Sequence, residues 1–346
     1  MKSKNSSPVK VQMSTAAAMT LGFFPGEFLR NAKLKALNLL VTYESGCQAR
    51  CSFCGLSKSR ETAGDETKSF IRVMWPSFDL DEIIERTKSI PHLKRVCVSM
   101  ITHKYAFQDM CTIMRKFKEE TKLSISGLIG PTNIQNIEML EEIKHSGTDM
   151  VGIAIDAATP ELFEKLRGKS VGGPHKWSHY WKVVRESVGI FGEYNVGVHL
   201  IVGLGETEKE MVHVIQKAYD LRAKTHLFSF YPEEGSKMQY WHQPSYGYYR
   251  RIQLARYIIN EGYGSFAMMR FDENDKLIDF GLDEELLEEL IQSGEAFMTS
   301  GCAGSDGTVA CNRPFGNERP SRPIRNFPFK PNQEDIELIK KQLWEQ

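Results

Sequence analysis

Three cysteines, Cys47, Cys51 and Cys54, fall within eight residues of the chain with the spacing Cys-x3-Cys-x2-Cys. Thiolates are soft ligands, and closely spaced thiolates suit iron–sulfur clusters. Three protein ligands on a cube of four irons leave one iron open to a substrate or cofactor atom, as catalysis requires. The spacing therefore predicts a redox-active [4Fe-4S] cluster. A zinc site with a fourth ligand from elsewhere, or a chance grouping, is the alternative.

The elements around these cysteines alternate between short apolar runs and longer amphipathic runs with apolar residues near i, i+3, i+4 and i+7. The predicted strands are Ala36–Tyr43, Arg95–Met100, Leu123–Ile129, Met150–Ile155, Gly197–Leu204, Leu227–Tyr231 and Ser265–Phe271. The predicted helices are Leu80–Ser89, Ala106–Glu120, Ile134–His145, Trp177–Phe191, Glu208–Ala223 and Tyr248–Glu261. This alternation predicts parallel β/α units and an α/β fold. The length fits a full or partial (β/α) TIM-type barrel. An open doubly wound sheet is the rival, which the lack of a GxGxxG turn weakens.

The predicted barrel occupies residues 34–280, after an N-terminal extension of residues 1–33 and before an irregular C-terminal extension of residues 281–346. The chain of 346 residues carries 44 basic and 44 acidic side chains, so its charge does not suggest a nucleic-acid partner. No run of 18 apolar residues occurs, which argues against a membrane span. Seven cysteines do not form a secreted disulfide pattern, so we expect a reduced, cytoplasmic protein.

Further candidate residues lie at the predicted carboxyl ends of the strands, where barrel enzymes place their sites. Each has a plainer interpretation: Asp156 and Glu206 could be turn residues, His103 could be a polar loop residue, and Arg270 could extend from the core. Their common placement favours a functional role. The candidates are Ser99, His103, Asp156, Gly203, Gly205, Glu206 and Arg270.

A second cysteine pair, Cys302 and Cys311, lies in polar, glycine-containing sequence where apolar burial does not explain it. We predict that the pair binds an auxiliary cluster; a weak zinc clip or two idle thiols are the alternatives. Cys97 in the second strand could point into the barrel, and Ser300, Ser305 or Arg270 could complete the ligand set. The sequence does not choose among these.

The first cysteine loop, with Phe53 before the third cysteine, resembles the cluster motif of the radical S-adenosylmethionine (SAM) superfamily. This resemblance implies that the open iron binds SAM and that its cleavage yields a 5′-deoxyadenosyl radical. Residues 153–161 resemble the ribose-contacting segment of the biotin and lipoyl synthase branch, which implies such a role for Asp156. Residues 201–207 are similar to the adenine-contacting segment of biotin synthases. Residues 100–103 correspond to the segment that contacts the methionine amino group, although no acidic residue stands there.

The C-terminal extension resembles that of the two-component archaeal-type lipoyl synthases, through Ser300-Gly301-Cys302, Cys311-Asn312-Arg313-Pro314 and Asn317-Glu318-Arg319-Pro320. The resemblance covers roughly residues 30–330. Two departures are the eight residues between Cys302 and Cys311, more than this family has, and the absence of a cysteine before Cys47. Cys97 is similar in position to a strand cysteine that holds the auxiliary cluster of biotin synthase.

These resemblances imply a sulfurtransferase that inserts sulfur at C6 or C8 of an octanoyl chain on a lipoyl-carrier protein, with the auxiliary cluster as the sulfur source. They also imply a related second synthase chain and a low-potential electron donor as partners. Tyr231, Tyr240 and Trp241 could line an acyl channel or simply pack. The alternatives are a biotin synthase-like or other radical SAM enzyme with a different substrate, and a non-catalytic iron–sulfur or zinc protein.

Overall fold

The computed structural model describes residues 5–61, 69–70, 73–312 and 324–345. Its strands are β1 (Lys10–Met13), β2 (Ala36–Val41), β3 (Ser69–Phe70), β4 (Val73–Met74), β5 (Ser77–Asp79), β6 (Arg95–Ser99), β7 (Ser124–Ile129), β8 (Met150–Asp156), β9 (Val196–Val202), β10 (Lys224–Ser229), β11 (Arg270–Phe271) and β12 (Leu277–Asp279). Its helices are α1 (Thr15–Thr20), α2 (Leu80–Thr87), α3 (Ala106–Glu120), α4 (Ile137–His145), α5 (Pro160–Arg167), α6 (Trp177–Phe191), α7 (Glu208–Asp220), α8 (Tyr246–Asn260), α9 (Glu284–Ser293) and α10 (Gln333–Leu343).

The main sheet has the strand order β10-β9-β8-β7-β6-β2-β1-β5. Strands β2 and β6 to β10 pair in parallel, each with its neighbour. They are joined by helices, so their carboxyl ends lie at one edge of the sheet. The predicted α/β fold with a full or partial TIM-type barrel is confirmed. Within the described residues the main sheet runs from β10 at one edge to β5 at the other without closing, so the barrel is partial.

The N-terminal segment contributes more structure than its description as an extension suggests. Strand β1 pairs antiparallel with β2 on one side and with β5 on the other. Val11 and Met13 are fully buried and alternate with partly exposed residues. A four-residue strand gives too short an alternation to be recognised in sequence.

The predicted seventh strand, Ser265–Phe271, is wrong. Residues 266–268 form a turn of 3-10 helix, and β11 pairs antiparallel with β12 in a two-stranded ribbon apart from the main sheet. The local apolar run could not reveal this, because apolar runs of this length occur in several kinds of structure.

Helix caps fix the loops that carry the candidate residues. Thr159 accepts a hydrogen bond from the Leu162 amide at the start of α5, just after β8. Thr207 and Glu210 form a capping box at the start of α7, just after β9. The chain therefore turns sharply at both strand ends. In the described residues no helix is long and apolar enough to cross a membrane.

Candidate active site

The loop that carries Cys47, Cys51 and Cys54 follows the carboxyl end of β2, as predicted. Its backbone is tied to two neighbouring β/α units: the Gln48 amide donates to Thr102, and the Ser52 amide donates to Leu166. Gly46 starts the loop with a φ of 63°, a value that a glycine adopts without a steric penalty. The loop is therefore held against β6 and α5 rather than projecting into solvent.

The three cysteines line one cavity of about 200 Å³ inside the barrel. Burial raises the pKa of the Cys51 thiol to about 11, although the Arg167 guanidinium opposes this. Burial, followed by the neighbouring Cys51 and Cys47, raises the pKa of the Cys54 thiol well above its usual value. Bringing three thiolates together in a buried place requires compensating positive charge, which a metal cluster supplies.

This donor set fits a [4Fe-4S] cluster, because each cysteine of a cube ligates a different iron and the three thiols need not converge on one point. Within the described residues, no three His, Cys, Asp or Glu side chains come together closely enough to hold a single metal ion.

Arg167 is the cavity residue that sequence reasoning missed. Its Nη1 donates to the carbonyls of Ala154 and Ile155 and to Asp156 Oδ2, at 2.6, 3.0 and 2.5 Å. Its Nη2 donates to the Tyr180 hydroxyl at 3.2 Å, whereas its Nε is buried without a hydrogen-bond partner. The Arg167 side chain comes from the last turn of α5. In the sequence it is marked only by its place, one helix after the acidic residue that ends β8.

Asp156 lies in this cavity at the end of β8. Its φ is 65°, and the β8–β9 register shifts between Ala154 and Asp156. A positive φ in a residue other than glycine is uncommon and often marks a functional site. Burial raises the pKa of the Asp156 carboxyl, and Arg167 opposes the rise. The pair can offer a carboxylate and a cation to the polar groups of one ligand.

A second buried network supports Arg167. His175 Nδ1 lies 2.6 Å from the Thr132 hydroxyl and 2.8 Å from the Tyr180 hydroxyl. Burial, with the nearby Arg167 charge, lowers the pKa of His175 to about 2, so the ring stays neutral. Burial also raises the pKa of Tyr180 to about 12. The network therefore contacts Arg167 with neutral groups, and Asp156 is the carboxylate that pairs with its charge.

Phe53 and Ser99 line the same cavity, as expected for residues near a bound cofactor. His103 does something else. Its ring stacks on Tyr43 with centroids 3.8 Å apart, and its Nε2 lies 3.1 Å from the Ser45 hydroxyl. It therefore connects the loop after β6 to the start of the cysteine loop and positions that loop. Its predicted contact with a cofactor remains a prediction.

Glu206 turns back onto its own loop. Its carboxylate accepts hydrogen bonds from the amides of Gly203 and Leu204 at 2.6 and 2.8 Å, and from the Tyr248 hydroxyl at 2.6 Å. Gly203 and Gly205 have φ values of 101° and 112°, which only glycine adopts easily. The Gly-Leu-Gly-Glu segment is therefore a rigid turn after β9. Contact of its backbone with adenine stays a prediction.

The two C-terminal cysteines are adjacent in space despite the eight residues between them. The carbonyl of Cys302 accepts hydrogen bonds from the amides of Ala310 and Cys311 at 3.0 and 3.2 Å. Ala303 and Val309 form an antiparallel bridge. The additional residues thus form a small hairpin. The eight residues between Cys302 and Cys311, which are more than the lipoyl synthases have, therefore do not hold the two cysteines apart.

This hairpin packs against the amino-terminal ends of the barrel strands, opposite the first cysteine loop. The Asn38 side-chain amide lies 3.8 Å from Cys311 Sγ. Asn38 on β2 pairs in register with Cys97 on β6, and both line the cavity. Arg95, on β6, donates to the carbonyl of Ala303 at 2.6 Å. Cys97 and the hairpin therefore share Asn38 and Arg95 as neighbours at the floor of the interior.

Arg95 is the cation at this floor, and sequence reasoning missed it. Its side chain is 2% exposed and pairs with Asp149 at 2.5 Å. Burial alone would lower the pKa of Arg95, but Asp149, Cys302 and Cys97 outweigh burial and raise it. The two cysteines thus lie within electrostatic reach of one buried guanidinium, which favours anionic sulfur there.

Ser300 and Arg270, the other two residues proposed as ligands of an auxiliary cluster, lie in different parts of the structure. The Ser300 hydroxyl lies 3.0 Å from His226 Nδ1 on β10, so Ser300 is at the floor. Arg270 is not at the floor: its side chain is 75% exposed and pairs with Asp279 at 2.6 Å in the outer ribbon. The prediction of Arg270 as a ligand fails because β11 is not a barrel strand.

Two histidines that the sequence analysis did not single out extend into the interior from β9 and β10. His199 and His226 are buried, with ring centroids 5.6 Å apart. A Cβ at Gly152 would lie 2.7 Å from His199 Nε2, and one at Gly197 would lie 2.6 Å from the His226 ring. Glycine is thus required opposite both rings, and the lower interior is polar rather than aliphatic.

The three aromatic residues predicted to line an acyl channel do not all lie in the cavity. Tyr231 lines the cavity, whereas Tyr240 is 86% exposed and Trp241 is 41% exposed. Residues 313–320 of the C-terminal motif lie outside the described residues.

Comparison with known proteins gives a family assignment. The sequence model of the family described as "Radical SAM superfamily" matches residues 42–218, which is more than half of the chain. No curated protein matches the chain.

Two solved structures share the fold. Methylornithine synthase is 16% identical, with a TM-score of 0.51, and the match covers 71% of this chain and 66% of that protein, slightly under two thirds. The [FeFe]-hydrogenase maturase HydG is 13% identical, with a TM-score of 0.50, and the match covers 89% of this chain and 81% of that protein. At these identities the likeness concerns the fold alone.

Proposed function

The chain belongs to the radical SAM superfamily, and we propose that within this family of enzymes it inserts sulfur into an octanoyl chain carried by a lipoyl-carrier protein. The family membership implies a [4Fe-4S] cluster and SAM as cofactors. The substrate and the sulfur insertion are the proposal, and they extend the resemblance of the C-terminal segment to lipoyl synthases.

The observation that carries the proposal is the second group of cysteines. Cys97 lines the interior whose upper part is lined by Cys47, Cys51 and Cys54. The hairpin of Cys302 and Cys311 packs beneath it, beside Asn38 and Arg95. A sulfur-inserting enzyme needs a radical generator and a sulfide source that both face one substrate. Two cysteine groups at opposite ends of one barrel satisfy that requirement.

The first cysteine group would hold the cluster, and the residues around it would hold SAM. Arg167 and Asp156 supply a cation and a carboxylate in the same cavity. When bound, the cluster and SAM would supply one-electron chemistry that can act on an unactivated C–H bond, which acid–base groups cannot do.

The chain itself orients and shields these groups. Phe53 and Phe230 are 8% and 2% exposed and line the cavity, so they keep water from it. His103 and the backbone bonds of the cysteine loop fix the position of the thiols. Asn38 and Arg95 place an amide and a cation beside the floor cysteines, which would hold the sulfide-bearing cluster.

The proposal includes the partners that such chemistry needs. These are an octanoylated lipoyl-carrier protein, a related second synthase chain that inserts the other sulfur, and a low-potential electron donor. We place the reaction in the cytoplasm, where thiols stay reduced.

Mass spectrometry of an octanoyl-lysyl peptide tests the proposal. The reconstituted, oxygen-free protein is incubated with the peptide, SAM and dithionite. We expect the peptide to gain one sulfur and deoxyadenosine to accumulate. Deoxyadenosine without any sulfur gain would leave a radical SAM enzyme with another substrate and would refute the sulfur insertion.

Iron and sulfide counts test the second cluster separately. We expect about eight irons per reconstituted chain, and about four in the Cys302→Ala/Cys311→Ala variant. This variant should still cleave SAM, because the first cysteine group is intact, but should form no sulfur-containing product. Cys111→Ala is the matched control, since Cys111 lies on the face of α3 that is buried in the apolar core. Equal iron contents in parent and double variant would contradict the second site.

A further inference from the structure

The barrel interior below the first cysteine loop is lined by polar side chains, whereas such interiors are usually filled by branched apolar ones. Asn38, Cys97 and Ser126 are in-register neighbours on β2, β6 and β7, and the first two line the cavity. A Cβ on Gly127 would lie 2.5 Å from Met110 Cε on α3. Gly127 therefore faces the helices, and Ser126, the residue before it, faces the interior. An amide, a thiol and a hydroxyl thus form a row across three neighbouring strands.

Two atoms of this row indicate that it contacts a bound group. Asn38 Oδ1 and Ser126 Oγ are buried and have no hydrogen-bond partner among the described residues. The two residues are 7% and 1% exposed, so bulk water does not supply the missing bonds. Buried polar atoms in folded proteins are nearly always paired, because leaving them unpaired is costly. A polar ligand beside the row would provide the partners.

His199 and His226 form a second in-register pair, on β9 and β10. His199 pairs in register with Ala154, yet its Nε2 lies 2.7 Å from the position of a Cβ on Gly152, two residues earlier along β8. The His199 ring therefore leans toward the amino-terminal ends of the strands. His226 Nδ1 lies 3.0 Å from the Ser300 hydroxyl, just before the C-terminal hairpin. Both imidazoles are thus directed to the floor of the interior.

The donor types in this part of the interior suit iron. Cys97 and His199 are 5% and 3% exposed and line one cavity. Iron–sulfur clusters take thiolates as ligands, and in Rieske centres they take imidazoles as well. In the part of the chain that the structure describes, no three His, Cys, Asp or Glu side chains are close enough to hold a single metal ion. This spread fits a cluster, whose ligands bind different irons.

We propose that His199 is the fourth protein ligand of the auxiliary cluster, through Nε2, together with Cys97, Cys302 and Cys311. The neutral imidazole donates the Nε2 lone pair to one iron and keeps its proton on Nδ1. Ligation moves no electron and releases no proton. The inference rests on the second cluster of the proposed function and not on the sulfur insertion.

His226 has a positioning role in this arrangement. Its ring meets the His199 ring edge to face, with centroids 5.6 Å apart and an interplanar angle of 70°. Its Nδ1 engages the Ser300 hydroxyl, which for that reason is a weaker candidate for the fourth ligand. A partner on the ring of a neighbouring residue is a common way to fix the orientation of a metal ligand.

Pulsed electron paramagnetic resonance of protein labelled with ¹⁵N-histidine tests the ligand. The Cys47→Ala/Cys51→Ala/Cys54→Ala variant removes the first cluster, so about four irons should remain in each reconstituted chain. After reduction with dithionite we expect the ¹⁵N coupling of one iron-bound imidazole. His199 is unchanged in this measurement, so the result does not depend on how the fold tolerates a substitution there.

Two further substitutions in the same background identify the histidine. His199→Cys should keep about four irons and lose the nitrogen coupling. It should also lower the reduction potential of the cluster, because an anionic thiolate replaces a neutral imidazole. His226→Gln is the matched control, since it removes the neighbouring buried ring, and it should keep the coupling.

Four irons without a nitrogen coupling would overturn the proposal. So would a coupling that persists in His199→Cys or disappears in His226→Gln alone, which would assign the ligand to another histidine. A triple variant without iron would overturn both this inference and the second cluster proposed above. An intact nitrogen coupling with no sulfur gain in the peptide assay would support the ligand and refute the sulfur insertion alone.

Discussion

Removing the Arg167 guanidinium should expose how much the Asp156–Arg167 pair contributes to the site. The side chains are 6% and 14% exposed, so water cannot replace the lost partner. Arg167→Met keeps much of the volume but leaves a buried carboxylate unpaired and two carbonyls without their donor. Breaking a buried pair by removing one partner costs about 3–5 kcal/mol. We expect a loss in that range in the free energy of unfolding.

The pH dependence gives this prediction a signature. Burial raises the pKa of Asp156, and Arg167 is the group that lowers it, so the variant's pKa rises further. A carboxyl with a raised native pKa favours the fold while protonated and destabilises it as pH rises through that pKa. The deficit of Arg167→Met should therefore be larger at pH 8 than at pH 5.

Urea unfolding of the cluster-free chain measures these differences without a contribution from metal binding. The double variant Arg167→Met/Asp156→Asn should lose less than the sum of the two single losses, because it leaves no unpaired charge. Arg115→Met is the control: Arg115 and Glu142 form a surface pair whose side chains are 43% and 40% exposed. Such pairs contribute about 1 kcal/mol or less. An Arg167→Met loss no larger than the control, or strictly additive losses, would refute the reasoning.

Three other predictions concern the surroundings of the cavity. His175, whose native pKa is about 2, stays neutral in the fold and takes up a proton on unfolding. The free energy of unfolding should therefore fall by about 1.4 kcal/mol per pH unit below pH 6.5. His175→Gln should remove that part of the slope in acid unfolding curves, and an unchanged slope would contradict the prediction. Gly152→Ala forces a Cβ to 2.7 Å from His199 Nε2 and should lower the free energy of unfolding in urea by about 1–3 kcal/mol. Adding His199→Ala should restore most of this loss, and no restoration would show that the His199 ring does not cause the clash. Glu206→Ala leaves two loop amides without an acceptor and should lower the free energy of unfolding by about 1–3 kcal/mol. Glu206→Gln should lower it less. Equal losses in the two variants would mean that the hydrogen bonds to the carboxylate do not hold the loop.

Local sequence determined much of the barrel. The six parallel strands and most of the helices between them follow from side-chain periodicity, which depends on neighbouring residues alone. Helix α5 was not predicted. The first cysteine group was predictable because its three members lie in one short loop after one strand. Ser99 followed because it lies at a predicted strand end, and Phe53 followed from the resemblance of the cysteine loop to the radical SAM motif.

Contacts between distant segments were not predictable in the same way. Arg167 enters the cavity because α5 runs back against β8, and neither this helix nor its contact with β8 was predicted. Arg270 was assigned to the interior because an apolar run resembles a strand whether or not it joins the main sheet. β1 was missed because an edge strand of four residues is defined by its partner, not by its own pattern.

The sequence by itself determined which residues are available for chemistry: two groups of thiols, an acid after β8 and a glycine-rich turn after β9. Only the tertiary structure decided that Cys302 and Cys311 lie beside β2 and β6 at the amino-terminal ends of the strands, away from the first cysteine loop, and that Arg167 and Arg95 supply a cation at each place. The reason is physical. Side-chain periodicity depends on neighbours along the chain, whereas burial and electrostatic pairing depend on which distant segments the barrel brings together.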